Sequence, residues 1–158
     1  MLVFSWRRIK CKTKTLKIMT TTIPIQLLEL DDQGIHLIIA ATINKKTINL
    51  IIDTGASKTV FDINLLQDYC SFIDDNNIIE SKGINSEFLE TKKAKIKNIK
   101  FGDIEFNNFE TVLLDLSNIN DIYSEFSDLT IYGLIGGDFL IKYKAIINYY
   151  DKTLSFSE

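Results

Sequence analysis

Proline occurs once in the chain, at Pro24, histidine once, at His36, and cysteine twice, at Cys11 and Cys70. Each scarcity excludes something. One histidine leaves a Ser-His-Asp triad or a histidine-rich zinc site little to work with. His36 alternates into an apolar run and reads as a strand residue. Two cysteines with no paired spacing provide no disulfide framework and favour a reducing compartment. No apolar run is long enough to cross a membrane. The apolar start Met1-Leu2-Val3-Phe4 is too short for the core of a signal peptide, and its basic residues follow instead of preceding it. The expected location is therefore cytoplasmic.

What remains is an ordinary globular composition. At 158 residues and 46% hydrophobic, the chain suits one domain with a full core. Isoleucine and asparagine are abundant, which leans toward strands rich in β-branched residues. The net charge of −3 makes no case for nucleic acid as a partner. Residues 1–18 hold Arg7, Arg8, Lys10, Lys12, Lys14 and Lys17 without an acid, leaving −9 on the rest. We read residues 1–22 as a basic leader, disordered or an upstream extension ahead of a start at Met19. Residues 23–158 then form the folded domain. No linker, low-complexity tract or repeat divides it.

Along that domain, Ile23–Leu30 and Ile35–Ile43 read as strands separated by an Asp-Asp-Gln-Gly turn. Asn44-Lys45-Lys46 turns into Thr47–Ile52. Asp62 suits the N-cap of a short helix reaching Tyr69. Residues 78–101 alternate as a hairpin with its tip near Gly83–Glu87. Gly102-Asp103 leads to a further strand pair over Ile104–Leu114, and Ser117–Phe126 suits a helix. Ile131–Ile135 is a strand entering Gly136-Gly137, followed by a short helix capped by Asp138. Ala145–Tyr150 and Thr153–Phe156 close the chain as a hairpin, with Tyr149-Tyr150 in sheet packing. Short strands at this spacing predict a mostly β domain of barrel or sandwich type, with one or two short helices.

One position breaks the apolar pattern in a telling way. Leu50-Ile51-Ile52 runs straight into Asp53-Thr54-Gly55-Ala56-Ser57. A carboxylate at the end of a buried strand is costly unless hydrogen-bonded, and a turn of small residues supplies backbone donors around it. Alone, Asp-Thr-Gly is weak evidence, because turns favour both Asp and Gly. A second element strengthens it: Tyr132-Gly133-Leu134-Ile135-Gly136-Gly137-Asp138-Phe139-Leu140, an apolar strand ending in glycines about eighty residues later. There the glycine permits close backbone approach.

Together the two elements, with Thr59-Val60 after the first, resemble the retropepsin-like aspartic proteases, in their bacterial single-domain branch. The resemblance implies an acid-protease fold, a closed barrel or sandwich that acts as a homodimer. It implies Asp53 as the catalytic carboxylate, supported by Thr54, Gly55, Ala56 and Ser57, with Ile135, Gly136 and Gly137 threading beside that loop. Val60, Gly83 and Ile84 are the candidates for contacting substrate. The chain holds a single Asp-Thr-Gly, so the second carboxylate must be Asp53 of another copy. Such a pair shares one proton and activates one water, with no metal or organic cofactor.

The expected activity is therefore aspartic endopeptidase, hydrolysing peptide bonds in peptide or protein substrates. Two departures from the family pattern stand out. The flap candidate Ser81–Glu87 has one glycine, and Ser57 and Gly137 replace an acid and an arginine of the viral enzymes. The alternative is a catalytically weak or inactive peptide-binding scaffold that keeps the fold. Phosphoryl transfer from an aspartyl nucleophile fits poorly, for want of a phosphate-cradling loop with its lysine. The acids Asp115, Asp121, Glu125 and Asp128 read as a solvated face rather than a metal site.

Overall fold

A computed structural model describes residues 18–30, 34–73, 78–82 and 88–158, with 78–82 and 88–90 as backbone only. Most of the leader, the turn at 31–33 and the hairpin tip with Gly83 and Ile84 lie outside the described residues. Eleven strands are seen: β1 (Thr20–Glu29), β2 (Ile35–Ile43), β3 (Lys46–Ile52), β4 (Val60–Asp62), β5 (Cys70–Phe72), β6 (Ile78–Lys82), β7 (Phe88–Phe101), β8 (Ile104–Leu114), β9 (Ile131–Ile135), β10 (Ile146–Asn148) and β11 (Thr153–Ser157). Three helices join them: α1 (Ile63–Leu66, continued by a 3-10 turn), α2 (Ser117–Phe126) and α3 (Gly137–Lys142). The mostly β expectation holds.

Several elements differ from expectation. Ile104–Leu114 is a single strand and not a pair, because β8 pairs along its length with β7. The cap of α3 is Gly136, and Asp138 sits in the first turn instead. Tyr149 and Tyr150 leave the sheet altogether: they occupy the turn after β10, 70% and 93% exposed. The strand β1 already begins at Thr20.

Local chemistry explains the elements that position the rest. The β2–β3 connection is a two-residue turn with Asn44 and Lys45 both at positive φ, the hairpin geometry whose twist matches its strands. Asp62 caps α1 as expected, its Oδ1 accepting from the amides of Asn64 (2.7 Å) and Leu65 (3.1 Å). Its Oδ2 accepts from the Leu116 amide at 3.1 Å. This buried carboxylate therefore ties α1 to the entry of α2 while meeting its own need for donors.

The sheet runs β10-β11-β1-β2-β3-β9-β4-β8-β7-β5, and a bridge between Thr42 of β2 and Lys100 of β7 closes the middle six strands into a barrel. The strand β1 is shared: Thr20–Pro24 pair with β11, whereas Ile25–Glu29 pair with β2. Met19 and Glu158 exchange two backbone hydrogen bonds at the end of that ladder. The main core holds an aromatic cluster of Phe101, Phe106, Phe109, Phe139, Tyr143 and Phe156, with neighbouring ring centroids 4.7–6.4 Å apart. A second, smaller core of Leu30, Ile38, Ile51, Tyr123 and Ile131 lies under α2. Parallel pairing of β3 with β9 matches Ile52 to Ile135, which brings the loop after β3 beside the glycines after β9.

Candidate active site

The loop after β3 is built around Asp53. Its amide donates to the Ile135 carbonyl at 3.0 Å, extending the β3–β9 ladder by one residue. Its Oδ1 accepts from the amides of Gly55 (2.9 Å) and Ala56 (3.1 Å). A Cβ on Gly55 would lie 3.3 Å from that oxygen, tighter than ordinary contact. The carboxylate is half-buried, and its Oδ2 has no hydrogen-bond partner among the described residues. One oxygen is thus fixed and the other is open. Thr54, Gly55 and Ser57 are exposed and Ala56 is half-buried.

The second glycine element lies against this loop. A Cβ on Gly136 would come within 2.5 Å of the Lys58 carbonyl and 3.0 Å of the Ala56 oxygen, so only glycine fits. A Cβ on Gly133 would come within 2.5 Å of the Val60 carbonyl. The Gly137 amide donates to the Ala56 carbonyl at 2.8 Å. Buried Ile135 completes the strand beneath.

Thr59 fastens the two elements. Its hydroxyl donates to Asp138 Oδ1 (2.8 Å) and accepts from the Gly136 amide (3.0 Å). Its own amide donates to the same Asp138 oxygen at 2.8 Å. The motif contains Thr59 but does not by itself show this role; its one signal is Asp138 directly after the glycines, a position that also suits a helix cap.

Asp53 opens into a cleft of about 430 Å3 that it shares with Thr54, His36, Tyr123, Tyr149 and apolar neighbours from β2, β3, β9 and α2. Val60 is half-buried in β4, between β8 and β9, and is not among the lining residues. Gly83 and Ile84 lie outside the described residues. Burial first, and the negative charge of Asp53 second, push the Tyr123 phenol up to about 12. No sequence signal pointed to His36 or Tyr123, which are 87 residues apart and on different elements. A larger cleft, about 630 Å3, lies between the β2–β3 turn and β7 and shares no lining residue with the Asp53 cleft. Chemistry decides between them, since Asp53 faces only the first.

Among the described residues, no group of three or more His, Cys, Asp or Glu side chains is placed to hold a metal. Asp115, two residues before α2, accepts from the hydroxyl and the amide (2.8 Å) of Ser117, which hold its carboxyl below its ordinary range. No described helix is long and apolar enough to cross a membrane.

Comparison with known proteins bears on the same elements. Residues 39–139, more than half of the chain and including both motifs, match the family described as aspartyl protease. None of the curated proteins matches the chain. Among solved structures, a retropepsin-like aspartic protease from Rickettsia conorii is 17% identical, with 98% of this chain and 97% of that one covered and a TM-score of 0.49. The retroviral protease-like domain of Ddi1 from Leishmania major is 13% identical, with 77% and 87% covered and a TM-score of 0.49.

Proposed function

The chain belongs to the aspartyl protease family, and on that premise we propose that it is an aspartic endopeptidase whose active site forms between two copies. The observation that carries this reading is Asp53 itself. Two amides hold its Oδ1, its Oδ2 is open to a cleft, and the sequence offers no second Asp-Thr-Gly. Peptide hydrolysis by carboxylates needs two of them at close range, so that one ionises while the other keeps its proton. The ionised member takes a proton from water as that water attacks the scissile carbonyl. The protonated member donates to the carbonyl oxygen. The pair titrates as a unit, and neither role belongs to one copy.

In this arrangement the loop residues divide the work. Gly55 and Ala56 fix the carboxylate. The Thr54 side chain makes no hydrogen bond among the described residues and is free to bond across the two-fold axis. Ser57, exposed beside it, offers a hydroxyl to the peptide backbone. Substrate lies extended across the loop in the strand-addition mode.

The test is peptide-library cleavage by wild type and Asp53→Asn, at concentrations above and below the dimer midpoint from sedimentation. We expect cleavage to disappear in the variant and to fall as the wild type dissociates. A verified dimer that cleaves nothing would sink the enzymatic reading and favour a peptide-binding scaffold. Equal cleavage by the variant would point to a contaminating protease.

A further inference from the structure

His36 is the only histidine of the chain, and the chemistry assigned to Asp53 gives it no task. It stands on β2, opposite Leu28 of β1, half-buried and lining the cleft that holds Asp53. Its Nδ1 is hydrogen-bonded to the Tyr123 hydroxyl, the two rings meeting edge-on with centroids 5.5 Å apart. Tyr123 is only 3% exposed, in the smaller core with Leu30, Ile38, Ile51 and Ile131. The imidazole is therefore held at two points, by the backbone of β2 and by a phenol anchored in packed side chains.

The other ring nitrogen is free. Nε2 has no hydrogen-bond partner among the described residues, and no buried side-chain nitrogen or oxygen among them lacks one. Nε2 must then reach solvent. A phenol that ionises only near pH 12 keeps its proton at neutral pH and has it to give. A neutral imidazole that accepts at Nδ1 carries its own proton on Nε2.

We propose that His36 binds substrate beside Asp53: its Nε2–H, oriented by Tyr123 through Nδ1, donates to a neutral acceptor at the end of a long side chain seated in this cleft. Ile35, Leu37, Ile119, Ile122 and Leu134 surround the stem of that side chain with apolar walls. A carboxylate terminus is disfavoured by the charge of Asp53 in the same cleft, whereas an amide carbonyl is not. Glutamine is the residue that fits, against methionine of similar length and no strong acceptor. Tyr123 is a positioning residue that acts through His36. The proposal rests on the protease reading of Asp53.

A lone histidine makes the test direct, because its ring nitrogens give one unambiguous set of NMR signals. We expect the Nε2–H tautomer in the wild type and a mixture of tautomers in Tyr123→Phe. Two statine-containing peptides, identical except for glutamine or methionine beside the statine, are then compared by calorimetry. The glutamine peptide should bind about threefold to tenfold more tightly, as one net hydrogen bond allows, and should shift the Nε2 resonance. In His36→Phe the ratio should fall to about one. An Nδ1–H tautomer in the wild type, or equal binding of the two peptides, overturns the proposal and leaves the protease reading standing. Failure of both peptides to bind overturns that reading and the proposal with it.

Discussion

Gly136 has no space for a side chain, and the obstacle is backbone. An added Cβ would meet the carbonyl of Lys58 at 2.5 Å, and neither a rotamer change nor a flexible neighbour relieves that. We expect Gly136→Ala to lower stability by about 1–3 kcal/mol, the range of overpacked cores, and to displace the Asp53 loop. Urea unfolding checks the first, and loss of statine-peptide binding in the still-folded fraction checks the second. Thr59 gives a complementary case. In Thr59→Val the Gly136 amide loses its acceptor, and Asp138 loses one of its donors. The expected cost is about 1–3 kcal/mol, that of leaving a buried polar group unmet. Thr59→Ser, which keeps the hydroxyl, should recover most of it in the same unfolding assay.

At the scale of elements, α2 is the piece whose attachment matters most for the cleft. Asn120 bonds both backbone groups of Ile131, donating to its carbonyl at 3.0 Å and accepting from its amide at 2.8 Å. One side chain thus ties the helix to the first residue of β9. Asn120→Ala should cost roughly 1–3 kcal/mol and raise hydrogen exchange across residues 117–126 well beyond that of β3, as exchange mass spectrometry would show. Unchanged exchange would mean that the apolar face around Tyr123 holds the helix unaided.

The elements also show why some of this architecture was legible in the sequence. The ends of β3 and β9 were readable because apolar runs stop at Asp53 and Gly136, and a side-chain pattern reports such stops. Asp62 announced its cap by position. The strands β4 and β5 have three residues each, too few for any period to show, and they exist only because longer strands lie beside them. The two phases of β8 misled for a different reason. Burial skips from Phe106 to Phe109, where Asn108 takes φ +54, and a broken alternation resembles two strands. Helix α2 was expected, but its docking beside His36 depends on tertiary contacts that no local pattern encodes.

For the whole molecule, stability should decline in alkali. Burial pushes the Cys70 thiol up from 9.0 to about 11, as burial and Asp53 push Tyr123 from 10.0 to about 12. Above the unfolded values the unfolded chain releases protons that the folded chain retains, so rising pH favours unfolding. The contribution is intact below about pH 9 and is lost progressively up to about pH 12. Urea midpoints measured against pH should show this decline. Cys70→Ala should remove its early part, and Tyr123→Phe the later part. A flat profile in the wild type would contradict the burial of both groups.

The division of β1 between two neighbours has a kinetic meaning. Ile25–Glu29 can settle against β2 as soon as the first hairpin exists, but Thr20–Pro24 have no partner until Thr153–Ser157 arrive. The first strand of the fold must wait for the last. Pairings this distant along the chain are reached slowly, since the loop must close before any contact repays its lost entropy. During synthesis on the ribosome, the threonine-rich half of β1 therefore stands open until the C-terminal ladder emerges. In that interval the nascent chain is exposed to strand-to-strand association with its neighbours.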